Sequence, residues 1–131
     1  MRKPKTIDIK GKAYVQVNER VLLAHEENDK LEITTEVLQH TPSVVIRATV
    51  KTSKGTFMGT SYANVSKTIE KTSPYEVAET SAVGRALGFA GYGIMESIAS
   101  ADEITKATRY MKNGVVDTIP NSDPLAESEA D

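Results

Sequence analysis

The chain has 131 residues, of which 39% are hydrophobic and 26% charged, and a formal net charge of −2. That profile fits one globular domain, and no apolar run approaches the roughly 18 residues that cross a bilayer. With no cysteine and only His25 and His40, there is little material for disulfides, thiolate zinc sites, cysteine nucleophiles or serine–histidine triads, and the expected location is the cytoplasm.

The basic start, Met1-Arg2-Lys3-Pro4-Lys5, is followed by no apolar stretch of a secretory signal, and residues 1–12 read as irregular with Gly11 as a breaker. Tyr14, Val17, Val21 and Ala24 recur at helical spacing, with Leu22 beside them and Gln16, Glu19, Arg20, Glu26 and Glu27 between. This predicts a helix over 13–27, ended by Asn28-Asp29, although Tyr14–Val17 also fits the opening of a strand. Leu31, Ile33, Thr35 and Val37 alternate with polar residues and predict a strand over 31–38, broken by His40-Thr41-Pro42.

Ser43–Lys51 and Thr56–Val65 read as a hairpin joined by Thr52-Ser53-Lys54-Gly55. A turn centred on Ser53-Lys54 sets Val50 opposite Phe57, Ala48 opposite Gly59, Ile46 opposite Ser61 and Val44 opposite Ala63. One sheet face is then apolar and small, and Gly59, Ser61 and Ala63 allow a helix to approach closely. The other face carries Lys51 with Thr56, Thr49 with Met58, Arg47 with Thr60, and Val45 with Tyr62.

Ser73-Pro74-Tyr75-Glu76 combines a capping box with proline at the first helical position, predicting a helix over 74–90 that stops at Gly91-Tyr92-Gly93. Ala78, Ala82, Val83, Ala86, Leu87, Phe89 and Ala90 cover one arc. Thr80, Ser81, Gly84, Gly88 and Gly91 cover the opposite arc, with Arg85 at the border. Glu79 falls inside the apolar arc without a settled partner, a base on the sheet being one candidate. Each glycine inside a helix costs about 1 kcal/mol against alanine. Gly84 and Gly88 therefore mark a close approach, either by another subunit or nucleic acid, the preferred reading, or by dense packing within one subunit. A second capping box, Ser100-Ala101-Asp102-Glu103, opens a helix over 101–112 that ends at Asn113-Gly114.

Residues 1–112 hold all 16 bases and 13 acids, whereas 113–131 hold five acids and no base. The tail is too poor in large apolar residues to offset its chain entropy and reads as disordered. An acidic tail on a mildly basic body is a pattern of proteins that handle nucleic acid, and equally serves solubility. The expected architecture is α+β: a helix, a three-stranded antiparallel sheet with a packed helix (a β-β-β-α core), a short C-terminal helix, and a disordered acidic tail. The expected units are a single-strand annealing domain over 1–112 and the tail over 113–131.

The segment Glu79–Gly93, with Arg85-Ala86-Leu87 followed by Gly91-Tyr92-Gly93, resembles a helix of phage and prokaryotic single-strand annealing proteins, the Sak- and DdrA-type relatives of the Rad-fifty-two protein. That resemblance implies ATP-independent annealing of complementary DNA strands in phage-type recombination, in an oligomeric and often ring-shaped assembly. It carries Arg85, Arg47, Lys51 and Lys54 over as single-stranded-DNA contacts. The chain has Gly84-Arg85 where members often have Lys-Arg, and is shorter than they are.

Binding a single strand asks for cations along the backbone and flat groups for the bases. Lys67 and Lys71 join the cations, and Tyr62 and Tyr92 are the candidate stacking groups. No acidic cluster has metal-ligand spacing, and Gly84–Gly88 lacks the lysine and hydroxyl of a phosphate loop, so neither an enzyme, a metal nor a cofactor is expected. Two alternatives stay open: a strand-protecting DNA-binding protein whose tail recruits a replication or recombination partner, and a regulatory interaction protein that binds no DNA.

Overall fold

The computed structural model describes residues 1–65, 73–94 and 98–105. Its elements are β1 (Ile7–Ile9), β2 (Lys12–Tyr14), α1 (Val17–Glu27), β3 (Glu32–Gln39), β4 (Ser43–Thr52), β5 (Gly55–Asn64) and α2 (Pro74–Phe89). A helical segment over 101–105 follows. The fold is α+β, as expected: β3, β4 and β5 form an antiparallel sheet in that spatial order, packed against helices.

The hairpin register is the one its turn predicts, with Val50 opposite Phe57, Ala48 opposite Gly59, Ile46 opposite Ser61 and Val44 opposite Ala63. Val44, Ile46, Ala48 and Val50 are buried, while Val45, Arg47 and Thr49 between them are half-buried and Lys51 is exposed. Because successive side chains on a strand point to opposite faces, one face forms the core and the other lies open. α2 lies on the core face with Ala78, Ala82, Ala86, Leu87 and Ala90 buried. It sits closest at Gly59: a Cβ there would stand 2.5 Å from the Ala86 amide nitrogen and 2.6 Å from the Ala82 carbonyl oxygen.

The other side of α2 is also covered, by α1. A Cβ on Gly84 would lie 2.6 Å from Val17 Cγ2, and one on Gly88 would lie 2.9 Å from Arg20 Nη1. The glycine arc is therefore a helix–helix contact within one chain, which corrects the preferred reading and removes the ground for expecting an oligomer. α2 ends in a Schellman motif. Gly91 takes φ +100°, the Tyr92 amide donates to the Leu87 carbonyl at 3.0 Å, and the Gly91 amide donates to the Gly88 carbonyl at 2.9 Å.

Several local expectations change. Residues 7–14 are a short hairpin rather than irregular chain, turning through Lys10 and Gly11 at φ 52° and 84°. α1 starts at Val17, later than expected, and buries Glu19 and Arg20 while Leu22 is 53% exposed. The Ser73 hydroxyl makes no capping bond, whereas Ser100 accepts from the Glu103 amide at 3.3 Å. Phe89 leaves the apolar arc and is exposed, and Glu79 accepts from the Thr35 hydroxyl at 2.7 Å rather than from a base.

A second small core joins the chain's two flanks. Tyr14 is buried with Ala99, Ala101 and Ile104, and Ile9 packs against them. The Ala101 amide donates to the Val15 carbonyl at 2.9 Å. The expected continuation of the last helix to 112, and the tail over 113–131, lie outside the described residues. Among the described residues no helix is long and apolar enough to cross a membrane.

Candidate nucleic-acid interface

The open sheet face is built by alternate residues of three strands. β4 contributes Val45, Arg47, Thr49 and Lys51, and β5 contributes Thr56, Met58, Thr60 and Tyr62. β3 sets Glu36 opposite Arg47 and Glu32 opposite Lys51. Arg47 is consequently engaged: its Nε donates to Glu36 Oε1 at 3.0 Å, and its Nη2 pairs with the same oxygen. Acid stands across the strand from base at both positions, so this face is a nearly neutral surface rather than a cationic track. Lys54 lies exposed in the β4–β5 turn, which is fastened to the end of α1 by the Ser53 amide donating to Asn28 Oδ1 at 3.1 Å. Tyr62 is half-buried on the open face.

Arg85 is elsewhere. It belongs to α2, on the core side of the sheet, where its Nη1 lies 3.3 Å from Glu103 Oε2 and its guanidinium carbon lies 5.7 Å from the centre of the Phe89 ring. The Glu103 side chain is 5% exposed. The expected line of Arg47, Lys51 and Arg85 along one surface is therefore not formed. Tyr92 is buried, and its hydroxyl accepts from Asn28 Nδ2 at 2.7 Å, which leaves no ring face open for a base. Lys67 and Lys71 lie outside the described residues. Among the described residues no group of three or more histidine, aspartate or glutamate side chains is placed to hold a metal ion.

Among the described residues, more of the exposed lysines lie in residues 1–12, expected as basic and irregular, than anywhere else. Lys3, Lys5, Lys10 and Lys12 are all exposed. The signal that could have placed them was Lys10-Gly11 between Ile7/Ile9 and Lys12/Tyr14, a two-residue turn ending in glycine. This arm is held down by Glu19 of α1. Glu19 accepts from Arg2 Nη1 at 2.6 Å and from the Lys5 amide at 2.7 Å, and Arg2 Nε also donates to Glu26 at 2.8 Å. The Arg2 guanidinium, followed by the Lys5 amide, pulls the Glu19 carboxyl down to about 2, and the bonds to Glu19 and then Glu26 raise Arg2.

Arg20, next to Glu19 on α1, is 1% exposed. It donates to the Gly84 carbonyl at 2.7 Å and to the Gly93 carbonyl at 3.4 Å, tying α1 to α2 and its closing turn. Burial pulls its pKa down, and the negative charges of Glu103 and Asp102 work against that pull.

Residues 23–90 match the family described as Slr1353 N-terminal dsRNA-binding domain-like. The chain belongs to this family. No curated protein and no solved structure matches it. Membership overturns the resemblance to annealing proteins of the Rad-fifty-two type. The residues that carried that resemblance have local explanations: Ala86 and Leu87 fill the core, Arg85 pairs with Glu103, and Gly91 closes α2. The Slr1353 N-terminal-like stretch runs from the second half of α1 through β3, β4 and β5 to the end of α2, an α-β-β-β-α order among the described residues.

Proposed function

We propose that this protein binds nucleic acid, and that its preferred form is double-stranded RNA. One observation carries the reading: the stretch matched by a dsRNA-binding domain-like family takes in the second half of α1, the whole three-stranded sheet and α2. Duplex RNA is recognised mainly by shape and by contacts to phosphate and 2′-hydroxyl across the shallow minor groove. Such a ligand asks for a rigid surface and no row of stacking rings, which suits a chain whose Tyr92 is buried and whose Arg47 is paired. Single-stranded binding would need the stacking groups that Tyr62 and Tyr92 were expected to supply, and Tyr92 is buried. Annealing entered with a family resemblance that no longer stands and has no other support. The reading includes no covalent step.

The test is fluorescence anisotropy with a labelled RNA duplex of about 20 bp, longer than the roughly 16 bp that domains of this type span. The same sequence as duplex DNA, single-stranded RNA and single-stranded DNA completes the set. Tighter binding to the RNA duplex, weakening steeply with salt, is the expected result. Equal or tighter binding to either single strand would overturn the duplex preference. No binding to any of the four at low salt would end the nucleic-acid reading.

A further inference from the structure

The matched body is an unpromising surface for phosphate. Over residues 23–90 the chain carries eight acids and seven bases. Two of those bases, Arg47 and Arg85, are committed to Glu36 and Glu103. Residues 1–12, which precede the match, carry five bases and one acid. Of these five only Arg2 is ion-paired among the described residues, and Lys3, Lys5, Lys10 and Lys12 stand exposed.

Two further features separate this arm from a loose basic end. It is fastened at several points: Arg2 and the Lys5 amide bond to the buried Glu19, β1 pairs with β2, and Tyr14 is buried against Ala99, Ala101 and Ile104. Lysines on a fastened backbone lose less freedom on binding than lysines on a free one. Arg2 also covers Glu19 and Glu26, two carboxylates of α1 that would otherwise repel a polyanion.

We propose that this anchored N-terminal arm is the phosphate-contacting surface of the protein. Lys3, Lys5, Lys10 and Lys12 grip the backbone of an RNA duplex, and the α-β-β-β-α body supplies the shape that seats it. The proposal rests on the nucleic-acid reading above. Affinity then resides largely outside the family-matched stretch, and salt dependence is a property of the arm.

The experiment uses the full chain and the labelled RNA duplex over a salt series. One variant combines Lys3→Gln, Lys5→Gln, Lys10→Gln and Lys12→Gln. A comparison variant combines Lys30→Gln, Lys51→Gln and Lys54→Gln, the exposed lysines of the body. All seven side chains are exposed, so both variants should keep the wild-type melting temperature. Each lost phosphate contact lowers the slope of log K against log salt by about 0.9 on duplex DNA. The arm variant should therefore lose about 2 or more from that slope, with affinity at low salt falling at least tenfold, and the body variant about 1 or less. Wild-type slope and affinity in the arm variant, with wild-type protein binding normally, would overturn the arm and leave the nucleic-acid reading standing. A body variant that loses as much as the arm variant would also overturn it. Failure of the wild-type chain itself to bind any nucleic acid would remove the underlying reading instead.

Discussion

Glu19 and Arg20 are neighbours on α1, both buried, and held in place by different means. Glu19 draws donors from the arm: two Arg2 nitrogens at 2.6 and 3.3 Å and the Lys5 amide at 2.7 Å. Among the described residues Arg20 donates to backbone carbonyls, so its charge is solvated by peptide dipoles rather than neutralised in contact. The consequence for pH follows from Glu19. Its folded pKa, about 2, lies below the ordinary 4.5. A carboxyl depressed by folding contributes its stability in full above the unfolded pKa, and loses it as pH falls through the folded value. The melting temperature of wild type should therefore exceed that of Glu19→Gln above about pH 5. The gap should close between 4.5 and about 2. A gap that stays constant down to the lowest pH would mean that the charged carboxylate is not what fastens the arm. Neither residue was placed correctly by helical periodicity, which set both between the apolar positions. Glu19 is bonded to Arg2 and Lys5 of the arm, and Arg20 lies against Gly84, Gly88 and Gly93, and a pattern within one helix carries no information about what arrives from about 70 residues away.

α2 differs from an ordinary amphipathic helix in being buried on two sides. Its alanines lie on the sheet and Gly84 and Gly88 lie against α1, so the arc without large side chains is dry at Ser81, Gly84 and Gly88. At Gly84 the close neighbour is Val17 Cγ2, on a β-branched side chain that is itself 5% exposed and stiff about χ1. Gly84→Ala should thus destabilise by about 1–3 kcal/mol through overpacking, despite alanine's helix preference of about 1 kcal/mol. Joined with Val17→Ala, it should cost less than the two single changes together, as measured by denaturant unfolding of all four proteins. Strict additivity would show that Val17 is not the reason for the glycine. The hairpin and the limits of α2 were legible because their signals are local: alternation with a four-residue turn, Pro74 at the start, Gly91 at the end. The face carrying Arg47, Lys51 and Tyr62 was legible by the same parity. What stands opposite them was not. The acids come from β3, whose register against β4 shifts between Val37 and Gln39, so no alternation rule pairs Glu36 with Arg47 in advance.

At the scale of the molecule, the family-matched stretch begins at residue 23, inside α1, and leaves the first half of that helix outside it. Gln16, at the N-cap position, makes no side-chain capping bond. The cap comes from the far end of the described chain, where Asp102 Oδ1 accepts from the Val17 amide at 2.8 Å. A carboxylate there satisfies one of the free amides of the first turn and also meets the positive end of the helix dipole. Together with the Ala101–Val15 bond and the small core around Tyr14, it makes the flanks a clasp closed across α1 and α2. The seating of the arm on α1 depends on that clasp, since Glu19 lies in the turn that Asp102 caps. Asp102→Ala should cost about 0.5–2 kcal/mol, the range for losing a helix cap, and Asp102→Asn much less because an acceptor oxygen remains. Amide hydrogen exchange locates the effect: in Asp102→Ala the amides of Val17 to Glu19 should lose protection while those in the middle of α2 keep theirs. If Asp102→Ala melts with the wild type and its first-turn amides stay protected, α1 is capped by something other than Asp102, and the clasp does not hold the arm.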